Sequence, residues 1–183
     1  ARNVNGLADH LGQREPWIEL INDGPEEVGL DGLALSDAYA APTKFPFPPG
    51  LVIPAGGFLV VFADGQPEQT VAGEVHTNFR LADTVGARWS VVLARSNGST
   101  AEVVDYLDGL VDGDDMAIGR LPDADPASAV RLPSPSPGMS NEQPSAPVIT
   151  TMQLTPEGWP GFAWTAGTGW TYRVEWRADL GAG

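Results

Sequence analysis

The aspartates Asp105, Asp108, Asp112, Asp114 and Asp115 form the densest group of potential ligands in this chain. A calcium ion takes about six to eight oxygens, several of them from carboxylates. The loop Asp112-Gly113-Asp114-Asp115 could supply some of these, which makes Asp112, Asp114 and Asp115 the candidate Ca²⁺ ligands. The EF-hand spacing is absent, because no Asp-x-Asp-x-Asp-Gly run closed by Glu is present. A solvated turn is therefore the stronger reading, with Ca²⁺ the alternative. His10 and His76 are the only histidines and have no partner at metal-ligand spacing, so a structural role is expected for His76. There, Thr77 and Asn78 would cap a turn and Phe79 would anchor the core. Glu15 and Glu19 would share a face of a strand and could resemble a general acid/base pair, but no cleft can be argued around them. The sequence has no Gly-x-Ser-x-Gly elbow, no His-Glu-x-x-His pair and no phosphate-cradling glycine loop. No catalytic residue and no cofactor are assigned. Trp159, Trp164, Trp170 and Trp176 could stack on sugars, although the core face of an incomplete sandwich accounts for them more simply.

Those side chains need a scaffold, and the composition bounds it. The 183 residues are 42% hydrophobic, enough for one ordinary domain and a further fragment. The 22 glycines and 17 prolines fit frequent turns between short strands. A net charge of −14, with Lys44 the only lysine, disfavours nonspecific binding to phosphate backbones, so no nucleic-acid partner is expected. With no cysteine, disulfides and thiolate metal sites are excluded. No apolar run is long enough to span a membrane as a helix.

Period-two alternation recurs along the chain and predicts an all-β fold. Trp17–Ile21, Leu33–Leu35, Phe58–Ala63, Trp89–Ala94 and Glu102–Leu107 read as strands. Pro46, between Phe45 and Phe47, marks an edge because it cannot donate to a ladder. Phe58–Ala63 is continuously apolar and should be central. Ser96-Asn97-Gly98-Ser99 predicts a hairpin turn, and Met116–Leu121 is expected to be the last strand of the unit. Gly56-Gly57 reads as a turn, and 66–75 as an irregular loop rather than a short helix. Prolines recur from Pro122 to Pro147, and 142–147 reads as a linker. Beyond it, 148–183 has the pattern of a partial second β module, with Trp170, Tyr172, Val174 and Trp176 on one face.

Trp-Ile-Glu-Leu at 17–20, Gly-Leu-Ala-Leu-Ser-Asp at 32–37, Thr-Lys-Phe-Pro-Phe-Pro at 43–48 and the run from Val52 to Gly65 occur in the order seen in lamin-tail domains. His76–Leu81, Gly119–Asp123 and Pro135–Asn141 continue the order, so the resemblance covers about residues 1–141. It resembles most the bacterial branch. The resemblance implies an immunoglobulin-like β-sandwich without catalytic residues of its own. It also implies a binding, tethering or architectural module of an exported multidomain bacterial protein, extracellular or at the cell surface. The partners so implied are other protein modules or a surface polymer. The alternative is a carbohydrate- or Ca²⁺-binding accessory module that targets a hydrolase elsewhere on the parent chain. The family usually carries an apolar strand ahead of the segment matching Ala1–Gly12, which has no counterpart here, so one sheet edge is expected to stand open.

Overall fold

Alternation in Trp17–Ile21 becomes strand β1, which sends Ile18 into the core and Trp17 and Glu19 to the opposite face. The computed structural model describes residues 2–141 and 148–165 and divides the chain into the compact units Ala1–Glu142 and Gln143–Gly183. Ten further strands follow β1 in the first unit. They are β2 (Val28–Gly29), β3 (Leu33–Ser36), β4 (Phe45–Pro46), β5 (Val52–Ile53), β6 (Phe58–Phe62), β7 (Val75–His76), β8 (Arg88–Ser96), β9 (Ala101–Leu110), β10 (Ala117–Arg120) and β11 (Ala129–Leu132).

A three-stranded sheet in the order β1-β6-β7 and a four-stranded sheet in the order β4-β3-β8-β9 form the two main sheets of an immunoglobulin-like β-sandwich. Two small ladders, β2-β5 and β10-β11, complete the strand pairing. The core cluster takes Ile18, Val61 and Val75 from the first sheet and Leu33, Leu35 and Val91 from the second. Phe79 and Leu81 add to it from the segment after β7. Full burial of each such side chain is worth about 1.5–3 kcal/mol, which is why the apolar period fixes strand register. The continuous run Phe58–Phe62 is central as expected, between β1 and the parallel β7. Pro46 lies in β4, the terminal strand of its sheet. Asn97 N–H donates to the Thr100 carbonyl at 2.9 Å and Gly98 has φ +84°, which closes the expected β8–β9 hairpin.

Two expectations are corrected. β10 is not the last strand of the unit, because β11 pairs with it antiparallel from Ala117↔Leu132 to Arg120↔Ala129. The prolines at 126 and 133 flank the Ala-Val-Arg-Leu run, so every residue within β11 keeps its N–H. The 66–75 segment also has regular features: a 3-10 turn at Pro67–Gln69 and a tight turn from Val71 to Glu74.

In the second unit β12 (Val148–Leu154) and β13 (Pro160–Thr165) form an antiparallel hairpin with a register shift between Ile149 and Thr151. Trp159 and Trp164 are exposed there. The linker at 142–147 and the strand expected around Trp170–Trp176 lie outside the described residues.

Candidate functional site

β7 carries the site. Its residues alternate, so Val75 enters the core and His76 emerges on the outer face of the sheet, stacked on Phe62 with ring centroids 5.1 Å apart. The His76 side chain is nevertheless fully buried. Its Nδ1 lies 2.7 Å from Asp64 Oδ2 and its Nε2 lies 2.9 Å from Glu74 Oε1. His10 approaches from the other side, with Nδ1 2.5 Å from the same Glu74 oxygen and its ring centroid 6.1 Å from that of His76. One nitrogen of each ring and one Glu74 oxygen therefore lie within 4.8 Å of one another.

Each member is held by its local turn. Val71 and Glu74 exchange backbone hydrogen bonds at 3.0 and 3.1 Å, and Gly73, at φ +86°, supplies the left-handed position that aims Glu74 across the strand. His10 rides on a turn built around Asp9, whose Oδ1 accepts from Leu11 N–H at 2.9 Å and from Gln13 N–H at 2.7 Å. The His10 N–H itself donates to Glu74 Oε2 at 3.1 Å. Asp64 is fixed at its second oxygen by Gln66 N–H, 3.0 Å away. The backbone N–H of His76 donates to Thr70 Oγ1 at 3.0 Å, so the strand end is pinned as well.

A carboxylate facing each ring nitrogen favours the imidazolium form of His76, in which both nitrogens donate. Burial pulls this imidazole down, but hydrogen bonds to Glu74 and Asp64 and their charge outweigh it, so its pKa lies above the ordinary histidine value. Burial pushes Glu74 up, yet the hydrogen bonds from His10 and His76 prevail and hold its carboxyl below the ordinary glutamate value. In chemical terms the cluster is a cation seat: anionic oxygen and nitrogen lone pairs converge, and protons occupy the positions between them.

Residues 4–108, which include all four of these side chains and every strand of the two main sheets except the last two residues of β9, match the family described as Lamin Tail Domain. The chain belongs to the lamin tail domain family. No curated protein and no solved structure matches it. The family is a non-catalytic immunoglobulin-like module, compatible with a binding or architectural role.

In this lamin tail domain the residues picked out by sequence are dispersed. Asp112 Oδ2 lies 2.8 Å from Arg131 Nε, and Asp114 Oδ1 lies 3.2 Å from Arg2 Nη1. Asp115 accepts the N–H groups of Val4 and Asn5 at 2.6 and 2.9 Å. Each carboxylate thus has its own partner, and the three do not converge on a common ligand position. Asp105 pairs with Arg120, and Asp108 accepts from Tyr39 Oη. Glu15 pairs with Arg80, whereas Glu19 accepts Gly138 N–H at 2.5 Å, so the two do not act together. Phe79 is in the core and Thr77 Oγ1 donates to its carbonyl, as expected. Asn78 instead reaches away to the Lys44 carbonyl.

The pairing of His10 with His76 was missed because ligand spacing was sought along the chain. Nothing in the His10 segment announces that it lies over β7. The Glu74-Val75-His76 triplet was the available signal: in a strand it sends a carboxylate and an imidazole to one face.

Proposed function

We propose that this lamin tail domain is a non-catalytic binding and tethering module of an exported multidomain bacterial protein, and that it meets another protein module along strand β9. The observation carrying this reading is β9 itself, a ten-residue terminal strand of the four-stranded sheet. Val103, Val104, Tyr106 and Leu110 on it are exposed, and Tyr39 lies edge-on to Tyr106 with centroids 6.0 Å apart. A long terminal strand offers backbone donors and acceptors to an incoming extended segment, while exposed apolar side chains beside it supply specificity pockets. Tyrosines are suited to such a role because they add large contact area at small entropic cost. The Arg120 guanidinium donates to the Tyr106 carbonyl at 3.1 Å, so a partner has to displace or accommodate that contact.

A second reading has its own observation. Phe162 and Trp164 alternate on one face of β13 and are exposed, with Trp159 exposed at the preceding turn. Flat aromatics in that arrangement fit a sugar-stacking accessory module.

Carbodiimide crosslinking of the chain to neighbouring modules of its parent polypeptide, run beside a glycan array, separates the two. The tethering reading expects crosslinks from Glu102, Asp105 or Asp108 that vanish in Tyr106→Lys. Glycan binding without such crosslinks would overturn it.

A further inference from the structure

We propose that His10, Glu74 and His76 bind one divalent transition-metal ion, with Zn²⁺ the best fit, and that Asp64 is the positioning residue that orients the His76 ring. The inference is independent of the partner assigned to β9. Three properties of the cluster carry it. First, the ligand atoms are of the kinds zinc takes, two imidazole nitrogens and a carboxylate oxygen, and they already lie within 4.8 Å of one another. Second, the ring that forms the buried wall is set up as metal-binding histidines are. Its Nδ1–H goes to a fully buried carboxylate, which fixes the ring and presents Nε2 to the site. Third, the site opens to solvent on one side. His10 is 36% and Glu74 19% exposed at the side chain, so an ion can enter and a fourth position is left for water.

The geometry needs only a small adjustment. Tetrahedral zinc ligands at about 2.0–2.1 Å from the metal stand roughly 3.3 Å apart. Glu74 Oε1 now lies 2.5 Å from His10 Nδ1 and 2.9 Å from His76 Nε2. The partly exposed His10 and Glu74 therefore move outward by several tenths of an ångström, while the buried His76–Asp64 pair stays in place. On binding, the ion takes the place of the hydrogen bonds between Glu74 and the two rings: His76 gives up its Nε2 proton to solvent, and His10 coordinates through the lone pair of Nδ1 as a neutral imidazole. Calcium and magnesium are poor fits, because hard cations want oxygen and this site offers mainly nitrogen. The consequence is structural: a metal would clip the Asp9–Gln13 turn onto β7 and close the long loop between them.

The test is calorimetric titration and thermal melting of the tag-free full chain after chelator treatment, with Zn²⁺ as the probe. One ion per chain and a raised melting midpoint are expected, together with visible bands of tetrahedral character when Co²⁺ is used instead. His10→Ala, a change at a partly exposed residue, should melt near the parent without metal and lose the zinc-induced shift. Asp64→Asn should bind zinc about 10–100-fold more weakly. No heat with Zn²⁺, or equal binding by His10→Ala and the parent, would overturn the site. Should Asp64→Asn fail to fold, the His10→Ala comparison and the Co²⁺ spectrum decide the question.

Discussion

Asp115 occupies the left-handed region at φ 53° and uses its carboxylate to receive the backbone of the N-terminal segment, at Asn5 and Val4. Those N–H donors hold its carboxyl below the ordinary aspartate value of 3.8. A carboxyl depressed in the folded state contributes stability that is fully present above 3.8 and is lost as pH falls through the lower folded value. Asp115→Asn keeps a residue that tolerates left-handed backbone but removes the charge. Its melting midpoint should lie below the parent's at pH 7, and the gap should close in melts taken well below pH 3.8. A gap that stays constant across that range would assign the loss to geometry instead of charge. The residue scale is also where sequence reading is weakest. Asn22 is buried, and its Nδ2 donates to the carbonyls of Glu26, Ile53 and Pro54 at 2.7, 3.0 and 3.0 Å. Two of those three carbonyls come from a strand and turn far along the chain, which no local pattern around Asn22 encodes.

Elements are far more legible, because a strand's period is written in its own residues whereas its partner's identity is not. Trp17–Ile21, Phe58–Phe62 and the β8–β9 hairpin follow from alternation, apolar continuity and an Asn-Gly turn. β11 escaped because a strand of four residues is too short a window for periodicity to register. The two-residue β7 escaped for the same reason, and with it the site. Within the hairpin, two glycines separate conformational cost from packing cost. At Gly98 nothing lies within 4 Å of a built Cβ, but φ is +84°. Gly98→Ala should therefore cost about 1–2 kcal/mol from backbone strain alone. At Gly109 a Cβ would stand 2.2 Å from Trp89 Cζ2 and 2.7 Å from Ile118 Cδ1. A cavity of about 620 Å³ lined in part by Trp89 and Ile118 gives the indole room to shift, so Gly109→Ala should cost about 1–3 kcal/mol without unfolding the domain. Tryptophan fluorescence distinguishes the pair. Gly109→Ala should alter the native emission and Gly98→Ala should not; unchanged emission in Gly109→Ala would mean that Trp89 does not yield.

For the whole molecule the deciding quantity is the imbalance of 24 acidic against 10 basic residues. Several of the bases are committed to local pairs, Arg2 with Asp114, Arg131 with Asp112, and Arg80 with both Glu15 and Asp83. Salt acts on two opposing terms. It screens these mostly exposed pairs, each worth about 0–1 kcal/mol, and it screens the mutual repulsion of the surplus carboxylates. A net charge of −14 is large for a chain of 183 residues, and repulsion summed over many carboxylates outweighs a handful of weak pairs. The melting midpoint should therefore rise as sodium chloride is raised from about 0.01 to 0.15 M, where the Debye length shrinks from about 30 to 8 Å. A midpoint that falls over this range would mean that the arginine pairs dominate despite their exposure. The buried Asp64–His76 contact lies beyond the reach of such screening, since both side chains have no exposed surface. A chelator-treated sample at high salt thus keeps the wall of the cation seat while losing most of its long-range field. Zinc affinity that survives at 0.15 M salt would assign binding to the three ligands, and affinity that collapses with screening would assign it to the diffuse negative charge.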